Sequence, residues 1–66
     1  MADLDTLTPL RAARDRLGLP RERVAAQLDP PISSKTLERW EAGAEVKLWR
    51  LQQLAALYGV TVKELQ

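Results

Sequence analysis

The sequence predicts a small all-α domain of five short helices. Apolar residues recur at the three- and four-residue spacing of a helix face along most of the chain. The alternation of apolar and polar residues that is typical of half-buried strands is not seen. Sixty-six residues are enough for one domain with a small core. We expect a flexible N-terminal lead-in of residues 1–7 and a domain of residues 8–66.

The composition argues against several classes of function. The chain contains no cysteine and no histidine, which removes thiolate metal ligands and the commonest general base. We find no nucleophile paired with a base, no metal-ligand cluster and no glycine-rich phosphate loop, so we expect no enzyme, no cofactor and no small-molecule ligand. No apolar run approaches transmembrane length, and we expect a cytoplasmic protein without a membrane partner. The net charge of +1 decides nothing about nucleic acid, because distribution matters more than the sum.

Thr8 and Pro9 predict the start of the first helix, since Thr is a good N-cap and Pro at the first helical position loses nothing by its missing amide. Gly18 predicts its end. Apolar residues one turn apart should form its inner face: Leu10, Ala13 and Leu17. Arg14 lies on the same side, and a partly buried arginine needs an acidic partner. No carboxylate lies four residues away on this helix, so we expect the partner to be Glu41, at the edge of the third helix's inner face.

Leu19 and Pro20 predict the start of the second helix, which should run to about Leu28. Val24 and Ala25 should share its inner face with Leu28. Residues 29–31, which read Asp-Pro-Pro, then end the helix, because neither proline can continue it.

The third helix should run from Ser33, its N-cap, to Gly43, where it ends. Leu37 and Trp40 share its inner side. The opposite side carries four polar residues: Ser34, Lys35, Glu38 and Arg39. Lysine and arginine donate to guanine, glutamate accepts from cytosine and serine suits several bases, so this face has the chemistry needed to read base edges. Charges opposite an apolar stripe are also typical of any solvated helix, and the pattern alone leaves both interpretations open.

The fourth helix should run from about Lys47 to Tyr58, and Gly59 should end it. Apolar residues at helical spacing line one side: Leu48, Leu51, Leu54, Ala55 and Tyr58. Residues 61–64 have the capping-box form Thr-x-x-Glu, which predicts a fifth helix of one turn that carries Leu65 into the core.

Trp49 lies on the far side of the fourth helix from this apolar stripe. An exposed tryptophan indicates a protein interface, because aromatic anchors dominate many interfaces. The alternative is that Trp49 folds over Val46 in the preceding loop. The sequence favours neither interpretation.

The order of these features resembles the lambda repressor and Cro-like, or XRE-type, helix-turn-helix DNA-binding family. The resemblance covers residues 10–65 and rests on four motifs: R-x-x-L-G-L at 14–19, V-A at 24–25, S-x-x-T-L-x-R-W-E-x-G at 33–43 and L-x-x-L-A-x-L-Y-G-V-T-V-x-E-L at 51–65. It implies a five-helix lambda-repressor-like domain. Its second and third helices would form the helix-turn-helix, with the third in the major groove of double-stranded DNA.

The resemblance also implies roles for individual residues. The positions that match base-contacting residues are Ser34, Lys35, Glu38 and Arg39. Those that match or replace phosphate-contacting residues are Arg21, Ser33, Thr36, Lys47 and Arg50. Arg14 and Glu41 match the positions of an internal salt bridge. We therefore expect a bacterial or phage-encoded regulator of transcription that acts as a repressor. If it dimerises, we expect a weak homodimer through the fourth and fifth helices.

Three departures from the family pattern bear on docking. The turn at residues 29–32 is about two residues longer than usual, which affects the angle between the second and third helices. Pro20 replaces the usual Ser or Thr cap, which removes about 1 kcal/mol of capping. Ala44 and Glu45 occupy a connection that is often basic, which leaves Lys47 and Arg50 as its cations.

A second class of function is a protein-interaction module on the same fold, such as an antitoxin-like or accessory regulatory partner. The near-neutral charge, Glu45 in the loop and Trp49 favour it. We expect DNA binding to fall steeply with salt, whereas binding of a protein partner should depend on Trp49.

Overall fold

The computed structural model describes residues 8–66, which contain four α-helices and a final 3-10 turn but no strand. The helices in chain order are α1 (Pro9–Leu17), α2 (Arg21–Gln27), α3 (Ser34–Glu41) and α4 (Leu48–Tyr58), and the 3-10 turn is Lys63–Leu65. The predicted flexible lead-in, residues 1–7, lies outside the described residues. The fold is therefore all-α over the described part of the chain.

The helix ends follow local sequence signals. The Thr8 hydroxyl accepts from the Arg11 amide at 3.3 Å, which caps α1. The Ser33 hydroxyl accepts from the Thr36 amide at 3.2 Å, which caps α3. Gly18 ends α1 in the left-handed conformation with φ 68°, which glycine adopts without the steric cost that other residues meet. Pro20 leaves α2 without a side-chain cap, as expected.

The core lies where the four helices and the final turn meet. Its buried apolar members are Leu10, Ala13, Val24, Leu28, Leu37, Leu51, Leu54, Ala55, Tyr58 and Leu65. The most deeply buried are Val24, Leu37 and Leu54, one each from α2, α3 and α4. Truncating such a leucine to alanine typically costs about 2–5 kcal/mol. The core therefore fixes α3 from its inner side and leaves its outer side to solvent.

Residues 61–65 do not form the fifth α-helix expected from the sequence. Instead, a single 3-10 turn follows the capping box, in which the Glu64 amide donates to the Thr61 hydroxyl at 3.2 Å and the Thr61 amide donates to Glu64 Oε2 at 2.9 Å. The Leu65 amide bonds the carbonyl three residues back, that of Val62, at 2.9 Å. This is the 3-10 pattern rather than the α-helical one. Leu65 still reaches the core, at 4 % exposure.

Two leucines expected on inner faces are exposed instead. Leu17 is 51 % exposed and Leu48 is 57 % exposed. Leu17 is the last residue of α1 and Leu48 is the first residue of α4. Helical spacing places both leucines on the inner face, but it does not show whether a neighbouring helix extends far enough to cover the end of that face. The predicted burial of both residues was wrong for this reason.

Candidate nucleic-acid interface

The outer side of α3 presents four exposed polar side chains together: Ser34, Lys35, Glu38 and Arg39. On the opposite side, Leu37 is fully buried and Trp40 packs against the core. Because Leu37 and Trp40 pack into the core, the orientation of α3 about its own axis is fixed. Its polar side therefore faces solvent in one direction. The structure thus brings all four residues predicted to contact bases onto one solvent-facing surface, which we call the α3 outer face.

Glu41 joins α3 to both α1 and α2. Its carboxylate accepts from Arg14 Nε at 2.6 Å, from Arg14 Nη2 at 3.2 Å and from Arg21 Nε at 2.9 Å. The Glu41 side chain is only 2 % exposed. The hydrogen bond to Glu41 raises the pKa of Arg14 above its ordinary value despite burial. The pairing of Arg14 with Glu41 that the sequence indicates is present at hydrogen-bond distance.

Arg14 also fastens the end of α1 to the chain that leads into α2. Its Nη1 donates to the Leu19 carbonyl at 2.7 Å. In addition, the Thr8 hydroxyl donates to the backbone carbonyl of Glu41 at 2.7 Å. The start of α1, the start of α2 and the end of α3 are therefore held at one point. Sequence reasoning found the first pair but not these further contacts, because no spacing along the chain reports them.

Arg21 stands at the first position of α2, beside the α3 outer face. It lines a cleft together with Ser34 and Glu38. Among the described residues its hydrogen bond runs through Nε alone, so both terminal nitrogens remain able to donate. The Arg21 side chain is 34 % exposed. Its pairing with Glu41, which orients this guanidinium, was not indicated by the sequence.

Ser33 and Thr36 lie at the start of α3 and Lys47 precedes α4. The two hydroxyls are 3.0 Å apart, and the serine is exposed while the threonine is half-buried. Lys47 is exposed and sits immediately before the first residue of α4. All three are placed at helix N-termini, where amides and side chains commonly contact DNA phosphates.

Arg50 does not project from the surface as a phosphate ligand, contrary to expectation. The residue is only 8 % exposed. Its Nη1 donates to the Pro30 carbonyl at 2.6 Å and to Gln53 Oε1 at 3.1 Å. Its guanidinium carbon lies 4.4 Å from the centre of the Trp49 ring. The prediction for Arg50 is wrong because of a tertiary contact. The long turn before α3 packs against α4, where its Pro30 carbonyl accepts the hydrogen bond from Arg50.

The comparison with protein families gives a match to a helix-turn-helix domain over residues 8–66. The chain belongs to this helix-turn-helix family. The match agrees with the XRE-type resemblance and covers every described residue. Comparisons with curated proteins and with solved structures gave no match.

In this helix-turn-helix domain, residues 28–33 connect α2 to α3, the two helices that the sequence predicts to form the motif. The Ile32 amide donates to the Ala25 carbonyl at 3.1 Å, which folds the turn back onto α2. Gln53 donates through Nε2 to the Asp29 carbonyl at 2.5 Å. Arg50 and Gln53 are three residues apart on α4, so they share one side of that helix. Their three-residue spacing was the only feature of the sequence that indicated a joint contact of Arg50 and Gln53 with the turn.

Trp49 is 45 % exposed and follows the exposed Leu48 on α4. Its ring covers the Arg50 guanidinium, and the Trp40 ring lies 5.9 Å from the same guanidinium. A cation over an aromatic face is attracted by the ring quadrupole. The helix-turn-helix domain therefore carries a partly exposed apolar patch, Leu48 and Trp49, away from the core.

Residues 8–66 contain neither a metal-ligand cluster nor a helix that could cross a membrane. No group of three or more acidic, histidine or cysteine side chains is arranged to hold a metal ion there. None of the helices in that range combines the length and the apolar character needed to cross a membrane.

Proposed function

We propose that this helix-turn-helix domain is a sequence-specific regulator of transcription that binds double-stranded DNA and reads the major groove with α3. The observation that carries the proposal is the α3 outer face, where four polar side chains project from a helix whose other side is buried. Recognition helices of this family type enter the major groove with such a face. Membership of a helix-turn-helix family supports DNA as the partner.

The four residues of the α3 outer face offer three kinds of base contact. Lys35 and Arg39 donate to guanine O6 and N7, Glu38 accepts from cytosine N4, and Ser34 serves either kind of base. All four are exposed in the free protein, so binding requires no core residue to move. The set favours sites that contain G·C pairs.

Phosphate contacts would set the orientation of α3 in the groove. Arg21 is the strongest candidate, because Glu41 holds its Nε and its terminal nitrogens stay free to donate. Ser33, Thr36 and Lys47 supply further donors at helix N-termini. Such contacts position a protein on the duplex without reading its sequence. Arg50 is left out, since its guanidinium is used inside the fold.

The regulatory effect we propose is repression in a bacterial or phage setting, by occupying a site that polymerase needs. A two-fold dimer would read a palindrome with half-sites about one helical turn apart. We place its weak interface on α4 and the final turn, where Leu48 and Trp49 are exposed.

Binding to labelled random-sequence duplex over a series of salt concentrations tests DNA as the partner. We expect the affinity to fall steeply with salt, as counterions released from phosphates require. The variant Lys35→Ala/Arg39→Ala should lose binding. The matched control Arg16→Ala/Lys63→Ala removes two exposed positive charges from outside the α3 outer face, and it should bind more strongly than the first variant. Absence of binding by the folded wild type at low salt would contradict the proposal.

A protein-interaction module on the same fold is the second candidate. The observation that favours it is the exposed pair Leu48 and Trp49, since aromatic residues often anchor interfaces. Under this alternative, Trp49→Ala would abolish binding to a protein partner, and Lys35→Ala/Arg39→Ala would leave that binding intact. The reverse pattern in duplex binding favours the DNA-binding proposal.

A further inference from the structure

The turn between α2 and α3 is fastened to α4 by two side chains that the DNA-binding proposal does not use. Arg50 Nη1 donates to the Pro30 carbonyl at 2.6 Å, and Gln53 Nε2 donates to the Asp29 carbonyl at 2.5 Å. The two side chains are also joined to each other at 3.1 Å. Consecutive carbonyls of the turn are thus bound from the same side of α4.

The Arg50 guanidinium is itself packed between side chains of α3 and α4. Arg50 as a residue is 8 % exposed, and its guanidinium carbon lies 4.4 Å and 5.9 Å from the centres of the Trp49 and Trp40 rings. Trp40 belongs to α3 and Trp49 to α4. One side chain therefore contacts the turn, the reading helix and α4. A lysine would keep the charge but lose the planar fork and its stacking.

The two ends of α3 are held by different contacts. At its C-terminal end Glu41 binds Arg14 and Arg21. Its N-terminal end follows directly from the turn, which is tied to α2 by the Ile32 amide and to α4 by Arg50 and Gln53. In this docking geometry the N-terminal residues of the recognition helix contact base edges. The contacts from α4 therefore act on the end of α3 that needs the most accurate placement.

We infer that Arg50 and Gln53 are positioning residues for the reading of DNA sequence. They hold the long turn so that the α3 outer face meets base edges at the same time as Arg21 contacts the DNA phosphates. The inference rests on the proposed function. Loose support displaces a binding group by distances near an ångström, which is enough to lose productive contacts. Phosphate contacts tolerate such displacement better, because charge attraction is less directional than paired hydrogen bonds to a base. Specific binding should therefore depend on the two residues more than nonspecific binding does.

The test compares the affinities of Arg50→Lys and Gln53→Ala for two duplexes over a salt series. One duplex is selected by the wild type from a random pool, and the other has random sequence. For Arg50→Lys we expect about tenfold weaker binding to the selected duplex, similar to the effect of a mismatched base pair. Binding to random duplex and the salt dependence should not change. Gln53→Ala should change affinity in the same direction by a smaller factor, and Gln52→Ala, an exposed neighbour on α4, should have no effect.

Two results would overturn the inference. A parallel loss for both duplexes with a reduced salt slope would show that Arg50 is a phosphate ligand after all. Unchanged affinity of the folded variants for both duplexes would show that the anchoring does not matter for reading. If Arg50→Lys fails to fold by circular dichroism, Gln53→Ala against Gln52→Ala decides.

Failure of the proposed function gives a different result, because the wild type itself would then show no preference for any duplex, and the inference would fall with it. Hydrogen exchange of the free protein adds a readout that is independent of DNA. The Ile32 amide, which bonds the Ala25 carbonyl in the turn, should exchange faster in Gln53→Ala than in Gln52→Ala. Equal exchange rates would contradict the anchoring itself.

Discussion

At Glu41, one buried carboxylate accepts hydrogen bonds from Arg14 and Arg21. Arg14 is itself 8 % exposed, so its charge has been taken out of water. A buried ion pair does not always stabilise a fold, but removing one partner leaves a charge that nothing compensates. The same carboxylate orients the arginine that we propose to bind phosphate. Stability and DNA contact are therefore coupled at this residue.

Replacing Glu41 with glutamine tests that coupling. Glu41→Gln keeps the size of the side chain and removes the charge, so the free energy of unfolding should fall by about 3 kcal/mol. Urea denaturation followed by circular dichroism measures the change. Glu45→Gln, in the exposed connection before α4, is the matched control and should have almost no effect. A loss for Glu41→Gln no larger than that of the control would contradict the account.

Tyr58 carries a buried hydroxyl that has no hydrogen-bond partner among the described residues. Burial raises the pKa of Tyr58 from its ordinary value near 10 to about 12. The folded state therefore holds this proton more tightly than the unfolded state does. The stabilisation is complete below pH 10 and is lost as the pH rises from 10 towards 12, because the unfolded chain releases its proton first.

Tyr58→Phe removes both effects. At neutral pH the variant should be as stable as the wild type or more stable by about 1 kcal/mol, since an unpaired buried hydroxyl is removed. Between pH 10 and 12 the wild type should lose roughly 2 kcal/mol relative to the variant. Denaturation across this range measures the difference, and absorbance of tyrosinate follows the titration directly, because the chain has one tyrosine. A tyrosinate midpoint near pH 10 would contradict the burial argument.

At the scale of elements, local signals predicted where the helices lie. The caps Thr8 and Ser33 and the ends at Gly18 and Gly59 depend on a few neighbouring residues, so they can be recognised in the sequence. The fifth helix was predicted from a capping box that is present, but the box does not determine whether a 3-10 or an α turn follows it.

The candidate site divides in the same way. Helical spacing predicted that the residues of the α3 outer face share one side, since that periodicity is local. The direction of Arg50 and the pairing of Arg21 with Glu41 were not predicted. Arg14 was assigned a distant partner because it lies on the apolar side of its helix, whereas no such signal drew attention to Arg21 or Arg50. A longer turn was visible in the sequence, but its attachment to α4 depends on how the helices pack. Contacts of this kind require the structure.

Variants of Ser33, the N-cap of α3, can separate the effect on helix stability from the effect on DNA binding. Ser33→Ala removes the α3 cap and should cost about 1 kcal/mol of stability. Ser33→Asp keeps a good cap and places a negative charge where we propose a phosphate lies. We expect Ser33→Asp to unfold at the same urea concentration as the wild type and to bind duplex more weakly. Tighter or equal duplex binding by Ser33→Asp would contradict the placement of phosphate at the start of α3.

At the scale of the whole molecule, Leu48 and Trp49 form the exposed apolar patch on which a dimer would depend. Leu48 is the better residue to change, because Trp49 also covers the Arg50 guanidinium. We expect Leu48→Ser to shift the proposed dimer towards monomer without a change in the salt dependence of DNA binding. Analytical ultracentrifugation over a concentration series measures the shift. Identical sedimentation of the two proteins would contradict a dimer interface at this patch.

The charge of the whole molecule is close to balanced, at +1. A strongly basic protein binds any duplex through its overall field, whereas this chain, with 10 Lys and Arg against 9 Asp and Glu, must rely on where its cations lie. Lys35 and Arg39 lie on the α3 outer face and Arg21 beside it, with Glu22 and Glu38 close by. The acids weaken attraction to phosphates in general, so the domain should bind a matching sequence much better than a random one.

Selection of binding sites from a random duplex pool tests most directly whether α3 reads bases. The wild type should be run beside Lys35→Ala/Arg39→Ala and the control Arg16→Ala/Lys63→Ala. We expect the wild type and the control to enrich the same motif, rich in G·C pairs, and the α3 variant to enrich none. A palindromic motif would also report a dimer and its half-site spacing. Enrichment of the same motif by the α3 variant, or no enrichment by the folded wild type, would contradict the claim.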